Sequence, residues 1–410
     1  MRERRIVMGR NIVICADGTN NTFDKRISNI TLMINFLAFD DEAKQVVVYD
    51  QGIGTNEKRL KAVNEFHRKI PRNAALHVLP GPQAKWFDPW GIFGRLLGLG
   101  FGYGLKRNVG EMWQMLADLY QGPEDKIYLF GFSRGAFAVR ALAGLISRCG
   151  LPERGSGNFA EVFDNAYRLY QEWKPDSSAV ETFRRDHSRE GECRIHFLGI
   201  YDTVKSYGGI WPIRLPILRH NRIVDTVRHA LALDEHRAWY KATSWGRLKS
   251  DEQGAFRRLT DQELSEIRNQ SIEEVWFRGC HSDIGGSGSS EGAAGIALRW
   301  MLSEAAIAGL KFKPDAYAEL GQDPKDTEPK VNESFNWIWW LVECFPRCEI
   351  DNSHTNSVRK LKWLWNGRRN PLELVRKDGG KLMIKVHRTA HGHGLDSNRV
   401  EVVETKFAKK

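Results

Sequence analysis

The segment Ile127-Tyr-Leu-Phe-Gly131-Phe-Ser133-Arg-Gly135-Ala-Phe-Ala restricts the fold more than any other part of the chain. An apolar, β-prone run stops at G-x-S-x-G and passes at once into an apolar helical pattern. So sharp a strand-to-helix turn needs small residues at Gly131 and Gly135, because the backbone closes on itself, and it lifts the Ser133 hydroxyl above the strand end. A bare G-x-S-x-G match is often only a tight turn with a capping serine. With a strand before it and a helix after it, the segment reads as a nucleophile elbow.

An elbow of this kind needs a parallel sheet around it, and the rest of the pattern supplies one. Strand-like runs of β-branched and apolar residues recur at Asn11–Ala16, Gln45–Tyr49, Lys126–Phe130, Arg194–Ile200 and Glu274–Cys280. Between them lie helical spacings at Ile27–Phe39, Leu105–Tyr120, Arg134–Ser147, Phe159–Trp173 and Gly292–Ala308. Strand-helix alternation predicts an α/β fold, a mostly parallel sheet with helices on both faces. From about Lys311 the pattern degrades through an aromatic stretch, Phe335–Val342, into a basic tail. We expect a catalytic domain over 1–310, with insertions, and a C-terminal extension or cap over 311–410 that packs on it.

In such sheets ligands sit beyond the carboxyl ends of the strands, which directs attention to Asp17, Asp50, Ser133, Asp202 and His281. A serine nucleophile needs a base, and in elbow-bearing folds the chain order is serine, acid, histidine. His281 follows an apolar run and opens His281-Ser-Asp-Ile-Gly-Gly286, a glycine-rich turn that would leave an imidazole at the sheet edge; His387 and His391 are fallback bases. Asp202 ends the run His196–Tyr201 and is the expected acid, where it would fix the imidazole tautomer and stabilise the imidazolium. Asp283 is its main rival, while Asp225 and Asp234 lie in helical surroundings and are weaker candidates.

An oxyanion formed on attack by Ser133 needs amide donors. The Arg134 amide follows the nucleophile, and the loop Asp17-Gly18-Thr19-Asn20-Asn21 would add a second donor from Gly18 or Thr19. Asp17, Asp50 and Asp283 read as loop-shaping residues through hydrogen bonds to nearby backbone. Asp17 with Asp50 also raises a magnesium or calcium site, but a third clear ligand is missing, so no metal and no cofactor is expected.

The quoted residues, together with Ala16-Asp-Gly-Thr-Asn-Asn21, Tyr49-Asp-Gln-Gly-Ile-Gly-Thr55, His229-Ala-Leu-Ala-Leu-Asp-Glu-His236 and Phe277-Arg-Gly-Cys-His-Ser-Asp-Ile-Gly-Gly286, resemble the catalytic domain of type VI secretion phospholipase effectors and their uncharacterised relatives. The likeness runs through about residues 11 to 310 in the right order. It implies an α/β-hydrolase fold and hydrolysis of phospholipid acyl esters, with Ser133, Asp202 and His281 on the family's triad positions.

Charge and composition narrow the partners. A formal charge of +10 favours anionic surfaces, membrane or nucleic acid, and the basic residues are dispersed in short groups: Arg2, Arg4 and Arg5; Lys58, Arg59 and Lys61; Arg184, Arg185 and Arg189. We read these groups as solvated surface. The stretches Trp86–Phe93 and Phe335–Val342 would form an apolar acyl pocket, meet a membrane interface or pack internally. Six cysteines in 410 residues do not make a disulfide framework, and the apolar stretch after the basic start is too short for a signal peptide. A cytoplasmic protein is expected, peripheral to a membrane or exported without a cleaved signal. Its substrate would be a phospholipid or another ester, and an inhibitory or regulatory protein partner is compatible with the sequence. The rival readings are a soluble esterase, thioesterase or peptidase, and a nucleic-acid-binding or scaffold protein with a vestigial site.

Overall fold

The computed structural model describes residues 9–18, 28–52, 75–79, 101–154, 158–172, 178–204, 207–208, 211–212, 215–245, 260–286, 292–321, 329–334, 339, 343–344, 347–351, 358–362, 369, 371, 384–391 and 400–405. Nine described strands form one sheet, in the order β13-β12-β9-β8-β5-β4-β1-β2-β3. These are β1 (Asn11–Ala16), β2 (Gln45–Asp50), β3 (Leu76–Leu79), β4 (Lys126–Phe132), β5 (Ile195–Tyr201), β8 (Val224–Ala232), β9 (Ser271–Phe277), β12 (Ile384–His387) and β13 (Val400–Val403). Every pairing within the sheet is parallel. Two short antiparallel ribbons lie outside it, β6 (Tyr207–Gly208) with β7 (Trp211–Pro212) and β10 (Arg347–Asp351) with β11 (Val358–Lys362).

The interiors of β1, β2 and β4, Ile12–Cys15, Val46–Tyr49 and Ile127–Phe130, are continuous apolar runs because both sides of the sheet are covered there. Every residue of β1 and β2 is buried. One helical layer comprises α2 (Phe101–Leu119), α3 (Arg134–Cys149), α4 (Phe159–Glu172) and α5 (Ser178–His187), with α2 lying on β1 and β2 and α3 on β4, β1 and β5. A second layer holds α1 (Asn29–Phe36), α7 (His281–Gly285) and α8 (Ala293–Ile307), packed on β4, β5 and β8. The short helices α6 (Asp261–Arg268) and α9 (Ala316–Leu320) complete the described set. Side-chain alternation in β4 sends Tyr128 to the Ala308 carbonyl just past α8, at 2.7 Å.

The expected α/β class, parallel sheet and helices are what the structure contains, and three local readings change. The strand that precedes His281 is Ser271–Phe277 rather than Glu274–Cys280, and His281 opens the short helix α7. Asp225 lies on β8 and Asp234 just after it, not in helical surroundings. The helix-favouring His229-Ala-Leu-Ala run is there a central strand, set by pairing with β5 and β9 on either side. Arg189, read as solvated surface, instead donates to the carbonyls of Ala117, Tyr120 and Pro152 and so closes the end of α2.

Beyond residue 310 the chain adds β12 and β13 to the sheet edge. Val386, Ile384 and Val400 form a small apolar cluster with Trp276 and Leu231 there. No helix among the described residues is long and apolar enough to cross a membrane.

Candidate active site

The sheet order reverses between β1 and β4: β2 and β3 follow β1 in one direction, while β5, β8 and β9 follow β4 in the other. The chains leaving the carboxyl ends of β1 and β4 therefore diverge and leave a crevice. Ser133 stands at that crevice, immediately after β4, with the Asp17 loop on one side and Asp202, at the end of β5, on the other.

The elbow geometry follows from its glycines. Ser133 has φ 56° and ψ −115°, a left-handed conformation that is costly for a residue with a Cβ and is held by the strand and helix around it. A Cβ on Gly135 would stand 2.2 Å from the Ala16 carbonyl oxygen, and one on Gly131 2.6 Å from the Ala136 Cα. Only glycine lets β4, α3 and the β1 loop approach this closely. Gly135→Ala is accordingly expected to destabilise the protein by about 1–3 kcal/mol, the usual range for overpacking, and to slow reaction at Ser133 by displacing the β1 loop. Thermal unfolding and the rate of serine labelling check the two effects.

Ser133 and Asp202 directly follow β4 and β5, and His281, at the start of α7 beyond β9, meets them. The His281 Nδ1 lies 2.6 Å from Asp202 Oδ2, and its Nε2 lies 2.8 Å from Ser133 Oγ. An ionised carboxylate can only accept, so Nδ1–H donates to Asp202 and Nε2 is left to accept from the Ser133 hydroxyl. All three side chains are buried, and the Phe132 and Tyr240 rings each sit 4.8 Å from the imidazole ring. Asp202, like Ser133, has a positive φ, 39°. Its amide donates to Ala230 and the neighbouring Thr203 amide to His229 Nε2, which pins the carboxylate's backbone against β8.

Electrostatics favour a neutral base beside a charged acid. Burial pushes the Asp202 carboxyl up, but the Arg369 guanidinium and then His281 outweigh it, holding the pKa well below the usual carboxylate range. Burial lowers His281 below the ordinary 6.5, against the raising effect of Asp202. His281 is thus unprotonated at neutral pH and becomes protonated only as pH falls through its lowered value. Reaction at Ser133 should hold steady between pH 8 and 7 and fall along a limb whose midpoint lies below pH 6.5. A pH profile of kcat/KM reads this directly.

The alternative residues are engaged elsewhere. Asp283 accepts from the Cys280 amide at 2.9 Å and from the backbone and side chain of Asn332. Asp225 pairs with Arg194 and Asp234 with Arg278. His387 is buried in β12, stacks on Phe277 and lies within hydrogen-bonding distance of Thr389 and Thr405, while His391 is exposed.

Of the expected oxyanion donors, Arg134 opens α3 directly after Ser133, and the Gly18 amide donates to Asp17 Oδ1 at 2.6 Å. Thr19 lies outside the described residues, as do Trp86–Phe93 and all of Phe335–Val342 except Trp339. Asp17 also accepts from Ser28, Thr31 and Tyr49, which ties the β1 loop to α1 and β2. Asp50 accepts from the Gly52 amide and from Asn108, and burial pushes its carboxyl up to about 7. Among the described residues no group of three or more His, Cys, Asp or Glu is disposed to hold a metal ion.

Several residues that hold the site were given no role from the sequence, although His229 and Glu235 lie in the quoted segment His229–His236. Arg369 forms a two-pronged pair with Asp202. Glu235 accepts the His281 amide and holds Arg237, whose guanidinium lies 3.8 Å from the Tyr240 ring. His229 faces Glu274 across β8 and β9, and Glu274 in turn accepts from Ser244 and the Trp245 amide. Glu274 stands beside Glu273 in Ser271-Ile-Glu-Glu-Val-Trp-Phe277, where no local pattern separates the two, and Arg369 sits in a basic stretch with no pattern to distinguish it.

A parallel sheet with flanking helices, an elbow serine after β4, an aspartate after β5 and a histidine opening the helix beyond β9 define an α/β-hydrolase-type protein. The chain belongs to the family described as the T6SS (type VI secretion) Tle1-like phospholipase effector, catalytic domain, which matches residues 10–304 and is by that description a family of lipid-ester hydrolases. It is 31% identical over 243 residues to the uncharacterised protein YEL023C of Saccharomyces cerevisiae, a match covering 57% of this chain and 32% of that protein. The chain thus spans about a third of the length of the curated relative it matches. Among solved structures it is similar to an uncharacterised Pseudomonas aeruginosa protein (TM-score 0.39, 19% identity, 76% of this chain and 48% of that one). It is also similar to the Tle1 effector solved bound to the VgrG spike of the type VI secretion system (TM-score 0.33, 17% identity, 69% of this chain and 51% of that one).

Proposed function

We propose that this protein is a serine esterase that hydrolyses phospholipid acyl esters through an acyl-enzyme on Ser133. The observation that carries the reading is the hydrogen-bonded line from Ser133 Oγ through His281 to Asp202, at 2.8 and 2.6 Å. Family membership supplies the lipid ester as substrate class.

The geometry suits the following chemistry. His281 Nε2 takes the Ser133 proton as Oγ bonds to the ester carbonyl carbon, and Asp202 stabilises the imidazolium that forms. The oxyanion is met by the Arg134 amide at the N-terminus of α3 and by the loop of Gly18 and Thr19; for Gly18 to contribute, its amide must turn from Asp17 to the substrate oxygen. The carbonyl–oxygen bond to the leaving alcohol then breaks, and His281 returns the proton to that alcohol. Water, deprotonated by the same nitrogen, releases the fatty acid and restores Ser133. No step calls for a metal or cofactor.

In this reading residues 1–310 form the catalytic unit and 311–410 an extension that packs on it, β12 and β13 continuing its sheet. A charge of +10 suits peripheral contact with an anionic membrane surface, weakening as salt rises.

Fatty acid release from phospholipid vesicles, compared with hydrolysis of short soluble esters, tests the substrate class. Faster turnover on anionic vesicles, suppressed by salt, is expected. Activity confined to soluble esters would replace the phospholipase reading by a soluble esterase.

A further inference from the structure

The residue that fixes the acid of this site comes from far outside the family-matched region. Asp202 is fully buried, and its charge must be compensated. Its Oδ1 accepts from the Ala232 amide at 3.1 Å and from Arg369 Nη1 at 2.5 Å. Its Oδ2 accepts from His281 Nδ1 at 2.6 Å and from Arg369 Nη2 at 2.9 Å. The guanidinium is itself held by the carbonyls of Ala232 and Tyr240. A planar fork seated on both carboxylate oxygens fixes the plane of the acid, and with it the direction of the lone pair offered to the imidazole.

Arg369 is not an isolated visitor. Asn332 holds Asp283 in α7, the helix that His281 opens. Ser334 donates to Glu235 Oε1 at 3.1 Å, and Glu235 accepts the His281 amide. Trp339 lies 5.4 Å edge-on from Tyr240, whose ring packs against His281. All four residues follow the end of the matched region at residue 304, and each touches Asp202 or a residue that itself supports His281.

We propose that Arg369 is a positioning residue for the Ser133–His281–Asp202 line and that these four described residues after 304, Asn332, Ser334, Trp339 and Arg369, complete the active site. The inference rests on the hydrolytic reading of those three residues. Its physical content is twofold. The fork orients Asp202, and its positive charge reduces the pull of the carboxylate on an imidazolium, so His281 stays neutral to lower pH than the acid alone would allow. The other groups facing His281 are Glu235, Arg237, Tyr240, Cys280 and Asp283, and His229 lies near Asp202. Arg369 also reaches two of these groups: it donates to the Tyr240 carbonyl, and, against the raising effect of burial, it joins Arg237 in holding the Glu235 carboxyl down at about 2.

The test is the pH dependence of fluorophosphonate labelling of Ser133 in the full chain, for wild type, Arg369→Gln and Arg369→Lys, with thermal unfolding in parallel. In Arg369→Gln the labelling rate at pH 7 should fall about tenfold or more, and the acidic limb should move up by about one pH unit, because the competing cation is gone. Arg369→Lys keeps the charge and loses the fork, so its limb should stay at the wild-type position while its rate falls. A wild-type rate and limb in Arg369→Gln would overturn the inference, as would a rate that falls only with the folded fraction and leaves the limb unmoved. If the glutamine variant does not fold, Arg369→Lys decides alone: a wild-type rate there overturns the positioning role. Wild-type protein that is not labelled at Ser133 would instead sink the hydrolytic reading beneath it.

Discussion

Ser133→Ala should lower ester hydrolysis by about 10⁴- to 10⁶-fold while leaving a folded protein, as steady-state rates and a thermal melt on the same preparation would show. On the proposed mechanism the substitution removes the nucleophile and with it the covalent route, and what remains is the modest acceleration given by bound substrate and amide donors. The fold should tolerate the change because the strain at Ser133, φ 56°, belongs to the backbone and is held by Gly131, Gly135 and the β4–α3 junction rather than by the hydroxyl. The hydrogen bond from Oγ to His281 is lost, a cost of about 1 kcal/mol. A variant that keeps a tenth or more of wild-type activity would mean that another group reacts with the ester.

Asp202→Asn should act on activity and stability together. The amide nitrogen of an asparagine facing His281 Nδ1 would be a donor opposed to a donor, so the imidazole would turn to the wrong tautomer and kcat should drop by about 10⁴-fold. The same change leaves Arg369 as a buried cation facing a neutral side chain, and removing one member of a buried pair costs about 3–5 kcal/mol. A denaturant titration measures the second effect and initial rates the first. This joint loss separates Asp202 from Asp283, whose contacts are to Cys280 and Asn332 and whose replacement should disturb α7 without altering the histidine tautomer. Near-normal activity in Asp202→Asn would move the acid's role elsewhere.

The parts of this fold that are legible in the sequence are those where local pattern and tertiary environment agree. β1 and β2, Asn-Ile-Val-Ile-Cys-Ala and Gln-Val-Val-Val-Tyr-Asp, are buried throughout, and the apolar, β-branched runs at their centres suit strands covered on both faces. Ser133 is legible because the elbow needs two glycines at fixed spacing, and Asp202 and His281 because each follows an apolar run. What is not legible is set by partners distant in the chain. The Ala- and Leu-rich run of β8 has helix-favouring residues and becomes a strand only because β5 and β9 pair with it. Arg369 stands 167 residues from Asp202, and a long-range ion pair of that kind has no local periodicity to announce it. His229 and Glu274 meet only through the register of β8 on β9.

The most direct test of the hydrolytic account is intact-mass analysis after exposure to a fluorophosphonate, for wild type and Ser133→Ala. The account predicts one adduct on the wild-type chain, mapped to Ser133 and absent from the variant. An unlabelled wild-type protein, or an adduct that persists when Ser133 is replaced, would contradict it.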